Sequence, residues 1–101
     1  MTIKGEVKVV KNIHNQFCIY ERRDVNDFYK LGDFVARFDD ELVAEKIAKE
    51  INVLFNATFT RIAVWKNENE NECLITARNT YGQYVMRIFD FEKGDFTNNR
   101  Y

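Results

Sequence analysis

The segment from Phe34 to Asn56 limits the possible folds more than any other part of the chain. A short alternating stretch, Asp33 to Phe38, runs directly into a region whose apolar residues recur every three or four positions, the spacing of one helix face. Asp39 stands at the junction, where its carboxylate could accept hydrogen bonds from the free amides of the first turn, so we expect it to be the N-cap. The apolar stripe consists of Val43, Ala44, Ile47, Ala48, Ile51, Leu54 and Phe55. The sequence therefore predicts a strand followed by an amphipathic helix that ends near Asn56 and needs one face covered.

Strand-like alternation is found on both sides of this unit. Phe34, Ala36 and Phe38 are expected to face inward, and the stretch from Asp24 to Asp33 is predicted to be a loop in which Gly32 adopts a positive φ. The predicted strands are Ile3 to Val10, Phe17 to Arg23 and Asp33 to Phe38 before the helix, and Thr60 to Lys66, Glu72 to Asn79 and Gln83 to Phe91 after it. This order, βββ-α-βββ, predicts an α+β fold in which one amphipathic helix packs on a mostly antiparallel sheet.

Length and composition indicate a single folded domain over residues 1–101. A chain of 101 residues with 46% hydrophobic residues can form one core but not two. The polar segment from Asp95 to Tyr101 is predicted to be a mobile tail. A formal net charge of -1 argues against both a strongly basic nucleic-acid binder and an acidic DNA mimic. Two cysteines are too few for a disulfide framework and no apolar run could cross a bilayer, so we expect a cytoplasmic protein without membrane contact.

The residues needed for catalysis or metal binding do not occur in a recognisable pattern. The chain has no serine, and His14 is its single histidine, separated from Cys18 by three residues without a second pair of ligands that could complete a zinc site. Cys18 and Cys73 lack a motif that would lower a thiol pKa, so we expect both to be buried and inert. The glycines are isolated, so no phosphate-cradling loop is present. We therefore expect no enzymatic activity, no metal and no cofactor.

Alternation in the last three strands predicts two faces with different chemistry. The face assigned to the core contains Ile62, Val64, Cys73, Ile75, Ala77, Tyr84, Met86 and Ile88, and the opposite face contains Arg61, Ala63, Trp65, Leu74, Thr76, Arg78, Val85, Arg87, Phe89 and Phe91. Arginines interleaved with aromatic rings can stack, form forked hydrogen bonds and exclude water, as protein interfaces do. The candidate partner-binding residues are Arg61, Trp65, Arg78, Arg87, Phe89 and Phe91.

Four interpretations of this face remain open. It could bind a protein partner, it could stack single-stranded nucleic acid, or it could form a homodimer. Alternatively, the arginine stems could cover their neighbours while Phe89 and Phe91 pack under the tail or the first hairpin. Glu68, Glu70 and Glu72 border the same strands and would repel phosphate, which favours a protein partner over nucleic acid.

The block GDFVARFDDELVAEKIAKEIN resembles a strand-to-helix unit of small accessory proteins of tailed phages, with a strand ending in an acidic cap and an alanine-containing helix that closes on Ile-Asn. It covers about a fifth of the chain. The eleven asparagines, with many Lys, Ile, Phe and Tyr, are typical of an AT-rich coding sequence. The resemblance implies a phage- or mobile-element-encoded protein that binds a larger host protein, such as a defence or nucleic-acid enzyme, and inhibits or redirects it in the host cytoplasm.

Overall fold

The computed structural model describes residues 6–25, 28–67, 69 and 71–97, and for residues 23–25 and 28–31 it gives the backbone alone. Its elements are β1 (Val7–Lys11), β2 (Phe17–Val25), β3 (Phe28–Phe38), α1 (Glu41–Asn56), β4 (Arg61–Asn67), β5 (Glu72–Arg78), β6 (Tyr84–Asp90) and β7 (Asp95–Phe96). The strands form two antiparallel sheets, ordered β1-β2-β3 and β4-β5-β6-β7. The predicted α+β class and the βββ-α-βββ order are confirmed, with one short strand added at the end.

Helix α1 begins and ends with hydrogen-bonded caps. Its N-cap is Asp40, whose Oδ1 accepts hydrogen bonds from the amides of Leu42 at 2.8 Å and Val43 at 3.3 Å. The prediction of Asp39 as the cap is therefore wrong by one residue: the backbone at Asp40 is extended and holds its carboxylate over the first turn. At the other end, Thr58 has a φ of 71°, a conformation that usually requires glycine. The predicted end at Asn56 is confirmed.

The first sheet contains more strand than the sequence predicts. The stretch from Asp24 to Asp33, predicted to be a loop, is divided between β2 and β3, which pair as far as Val25 opposite Phe28, and Gly32 lies inside β3. Residues 26 and 27 at the tip lie outside the described part of the chain, as do residues 3–5 of the predicted first strand. A register shift in β2 and β3 pairs Tyr20 with Phe34, and Phe34 is 46% exposed. Phe34 is therefore not inward-facing as predicted, whereas Ala36 and Phe38 are buried.

The second sheet fixes which side chains face the helix, because directly opposite residues of paired strands lie on the same face. Ile62, Cys73, Ile75 and Ala77 are buried and Val64 packs against them, so the predicted inward sets of β4 and β5 are confirmed. In strand β6 the inward-facing and outward-facing residues are the reverse of those predicted. Its residues Val85, Arg87 and Phe89 pair with Ala77, Ile75 and Cys73, whereas Tyr84, Met86 and Ile88 pair with Arg78, Thr76 and Leu74. The inward face of β6 therefore consists of Val85, Arg87 and Phe89.

A single buried cluster joins the helix to both sheets. It contains Val7, Ile19, Ala36 and Phe38 from the first sheet, Ala44, Ile47, Ala48, Ile51 and Leu54 from the helix, and Ile62, Cys73, Ile75, Ala77 and Phe89 from the second sheet. The buried helix residues are those of the predicted apolar stripe. Between the sheets, β3 and β4 are not paired; Lys66 Nζ crosses this seam, donating to the Arg37 carbonyl at 3.0 Å and lying 5.0 Å from the centre of the Phe38 ring.

Two contacts hold the outer strands in place. On β1, the Asn52 side chain accepts a hydrogen bond from the Val7 amide at 2.7 Å and donates one to the Val7 carbonyl at 3.1 Å, as a neighbouring strand would. On β7, the Phe96 ring stands edge-on to Phe89 with 5.1 Å between centroids, and the Thr97 amide donates to the Ile88 carbonyl at 2.8 Å. The predicted mobile tail is therefore wrong for residues 95–97, and residues 98–101 lie outside the described part of the chain.

Candidate partner-binding face

The second sheet turns one side away from the helix, and we call this side the outer face. Its side chains form four cross-strand rows, because β4, β5 and β6 are paired in continuous register. The rows are Arg61–Arg78–Tyr84, Ala63–Thr76–Met86, Trp65–Leu74–Ile88 and Asn67–Glu72–Asp90. Ile88 is buried, but Arg61, Trp65, Arg78 and Tyr84 are exposed, and helix α1 packs on the other side of the sheet. Most of the outer face is therefore open to solvent.

The rows place an apolar centre beside a polar, aromatic edge. Trp65 is 58% exposed, although its indole is the largest apolar side chain of the face. Leu74 and Met86 are half-buried, so the middle of the face is apolar and reachable from solvent. Tyr84 is 44% exposed at the opposite end. Tryptophan, tyrosine, methionine and arginine are the residues that protein interfaces concentrate relative to the rest of a surface.

The structure brings together only part of the predicted site. Arg61, Trp65 and Arg78 lie on the outer face as predicted. Arg87 does not: its guanidinium is on the helix side, where Nε donates to Glu50 Oε1 at 3.2 Å. Phe89 is fully buried. Phe91 follows β6 and packs against the core, with its ring centroid 6.2 Å from that of Phe38.

An arginine can occupy an inward position when a carboxylate lies within reach of its guanidinium, and hydropathy alone does not reveal such a partner. Arg87 occupies an inward position because the helix supplies the Glu50 carboxylate within reach, which allows a charged group at the border of the core. Tyr84, Met86 and Ile88 take its place on the outer face and were not predicted to be there. Packing of Phe89 and Phe91 beneath neighbouring elements is one of the interpretations that the sequence left open, and it is the one the structure shows for these two residues.

One end of the outer face forms a small notch, which we call the arginine notch. Arg61 and Arg78 are directly opposite each other on β4 and β5, and both are exposed. A cavity of 410 Å³ lies beside them and is lined by Thr60, Arg61, Arg78, Asn79, Thr80 and Gly82. The Arg78 guanidinium carbon lies 5.4 Å from the centre of the Tyr84 ring, a cation–π contact. Neither arginine forms an ion pair with any residue of the described chain.

The other concave regions lie away from the outer face, and one of them, of 350 Å³, is lined by Phe38, Asp39, Asp40, Val43, Lys66, Asn71 and Phe91. A larger groove of 610 Å³ lies between β1 and α1, with Leu42 and Val53 exposed along it and Lys8, Lys46 and Lys49 on its walls. Lysines on such walls are flexible point charges and do not define a binding geometry by themselves. The described residues contain no group of three or more His, Cys, Asp or Glu that could hold a metal ion.

The cysteines are placed as buried apolar residues. Cys18 and Cys73 are free and buried. Burial raises the pKa of the Cys73 thiol to about 12, and the nearby Lys66 ammonium, which favours the thiolate, offsets only part of this effect. The Cys73 thiol is therefore protonated at neutral pH and cannot act as a nucleophile. In the described part of the chain, no helix is long and apolar enough to span a membrane.

Comparison of the chain with protein-family models, with curated proteins and with solved structures finds no match. The likeness to phage accessory proteins therefore stays a prediction.

Proposed function

We propose that this chain is a non-enzymatic protein that binds a larger protein through its outer face. The observation that carries the proposal is the exposed indole of Trp65, which is 58% exposed and lies opposite the half-buried Leu74 at the apolar centre of that face. A protein interface needs about 800 Å² from each partner, so the face would be used together with its flanking turn, in which Tyr81 is 84% exposed.

The charges on the face indicate the chemistry of the partner. Arg61 and Arg78 place two positive charges at one end, next to the apolar centre. The complementary surface is an apolar patch with acidic groups at one edge, because opposite charges steer the encounter and fix its orientation. Such a partner is a host protein that the chain inhibits or redirects in the cytoplasm, as the resemblance to phage accessory proteins suggests.

Single-stranded nucleic acid is the second candidate, favoured by the stacking of Arg78 on Tyr84 beside Arg61. It predicts steep loss of affinity with salt, since each phosphate contact releases counterions. The apolar centre of Ala63, Leu74 and Met86 favours a protein, because base stacking uses aromatic rings rather than aliphatic side chains.

The proposal is tested by capture from lysates of candidate host cells, identification of the partner by mass spectrometry and binding of the purified partner. Trp65→Ala should weaken binding of the purified partner at least tenfold, since an exposed tryptophan beside apolar neighbours is a typical hot spot worth about 2 kcal/mol or more. Leu42→Ala is the matched control, because Leu42 is an apolar residue, 71% exposed, on the helix side. Equal binding by Trp65→Ala and the wild type would reject the outer face as the contact.

A fluorescence measurement gives an independent readout. Trp65 is the single tryptophan of the chain, so its emission reports the outer face without a label. A blue shift on addition of the purified partner is expected, because the indole leaves water. An unchanged emission at saturating partner would place the contact elsewhere.

A further inference from the structure

The arginine notch brings two like charges together without compensating them. Arg61 and Arg78 are directly opposite on neighbouring strands, an arrangement that destabilises a sheet when both residues carry the same charge. No acidic residue lines the notch. Because neither guanidinium has an ion-pair partner in the described chain, the local charge of this end of the face is positive and available to an anion.

The residues of the notch carry several hydrogen-bond donors that an oxygen-rich ligand could use. A cation–π contact with Tyr84 engages the π system of the Arg78 guanidinium and does not consume its N–H donors. Thr60 and Thr80, each with a hydroxyl group, line the same cavity. The turn above it is braced, because Asn79 Oδ1 accepts hydrogen bonds from the amides of Tyr81 at 3.0 Å and Gln83 at 2.9 Å.

These groups match a phosphomonoester better than a carboxylate. A carboxylate carries one charge and would neutralise one of the two arginines. A phosphomonoester carries about -1.5 to -2 charges at neutral pH and offers three terminal oxygens, which suits two guanidinium forks and a hydroxyl. We infer that the arginine notch is a binding site for a phosphomonoester dianion, carried by a phosphorylated side chain of the protein partner. The site stands on its own geometry, whereas the source of the phosphate rests on the proposed function.

The rest of the outer face favours a protein as the source. A nucleic-acid strand carries a phosphate at every nucleotide and needs a row of cations. Arg61 and Arg78 are the only cations of the outer-face rows, and the next row is Ala63, Thr76 and Met86, without a charge. At the far end, the row Asn67–Glu72–Asp90 contains no cation that could bind further phosphates. One anionic group followed by apolar contacts is the pattern of a phosphorylated side chain in a folded or extended protein segment.

The test is an NMR titration of the whole chain with three probes: inorganic phosphate, a short phosphoserine peptide, and an oligonucleotide with and without a 5′-phosphate. Sodium chloride at matched ionic strength is the reference. Phosphate and the phosphopeptide should shift the Nε–H signals of Arg61 and Arg78 and the amides of Thr80 and Gly82. Arg61→Gln and Arg78→Gln should each weaken phosphopeptide binding at least tenfold. Arg37→Gln is the matched control, because this substitution removes the same charge from an exposed residue of β3 that lies away from the notch.

Each outcome decides a specific point. Equal shifts in chloride and phosphate, or equal weakening by Arg37→Gln, would overturn the site, because the effect would then be general screening. Tighter binding of the phosphorylated oligonucleotide than of the phosphopeptide would overturn the protein source and support nucleic acid. The site would be supported if Arg61→Gln loses phosphate binding while Trp65→Ala weakens partner capture as before. Failure of phosphate binding while Trp65→Ala still abolishes partner capture would reject the notch and leave the proposed function standing.

Discussion

Removing the Asn52 amide should destabilise the fold by about 2 kcal/mol, because it breaks both hydrogen bonds to Val7, each worth about 1 kcal/mol net. The bonds are 2.7 Å and 3.1 Å long and join the helix to the free edge of β1. Val7 is 5% exposed, so water replaces these bonds poorly. For a domain of this size a loss of about 2 kcal/mol lowers Tm by roughly 8 to 16 °C.

The assay is urea unfolding of Asn52→Ala beside Asn56→Ala. Asn56 is exposed in the same helix and its side chain forms no hydrogen bond in the described chain, so both variants remove the same atoms. Because Asn52 lies inside the helix and Asn56 is its last residue, alanine gains more helix propensity at position 52, and the difference between the variants is a lower limit for the contact with β1. Asn52→Asp should also be destabilised, since a carboxylate can accept from the Val7 amide but cannot donate to its carbonyl. Stabilities of the two alanine variants within about 0.5 kcal/mol would refute the reasoning.

Four further predictions concern the helix ends and the buried thiol. Asp40→Ala should lower stability by about 1 kcal/mol and Asp39→Ala should not, as measured by thermal unfolding; equal losses would contradict the cap assignment. Thr58→Gly should raise stability by about 1 kcal/mol, because a β-branched residue is strained at a φ of 71°; a loss in urea unfolding would count against that strain. Native Cys73 should resist a thiol reagent at pH 8, and rapid labelling of the folded protein would contradict its burial. Because burial raises the pKa of the Cys73 thiol from its ordinary 9.0 to about 12, the unfolded chain ionises first, and stability should fall as pH rises between these values; in Cys73→Ala this part of the alkaline loss should disappear.

The helix could be predicted from local patterns, because the spacing of apolar residues within this one segment determines which face of the helix is buried. The N-cap was wrong by one position because Asp39 and Asp40 are chemically equal, and only the backbone conformation distinguishes them. The stretch from Asp24 to Asp33 was predicted as a loop because of its turn-forming residues Asn26, Asp27 and Gly32, although it also contains the strand-forming Val25, Phe28 and Tyr29. Backbone hydrogen bonds between β2 and β3 hold it, and they do not depend on side-chain chemistry.

The prediction of the candidate site depended on the register of the hairpin between β5 and β6, which decides which side chains of β6 lie on the outer face. Alternation within β6 is compatible with either face, since Tyr84, Met86 and Ile88 are as apolar as Val85 and Phe89. The turn contained the missing signal: if Asn79 and Gln83 close it, Ala77 must lie opposite Val85, and the inward residues of β6 follow. Counting from the turn would therefore have placed Tyr84 and Met86 on the outer face. Pairing of Arg87 with Glu50 could not be predicted, because it joins segments that are distant in sequence.

The two sheets can move relative to each other most easily at the seam between β3 and β4, where their backbones are not paired. Across it the two halves share apolar packing under the helix and the bridge from Lys66 to the Arg37 carbonyl, but no ladder of backbone bonds. A small rotation of one sheet relative to the other would thus break only side-chain contacts, which reform easily, while the helix stays packed against both sheets. Amide protons along the facing edges of these strands should accordingly exchange with deuterium sooner than those of β5, which is bonded on both sides.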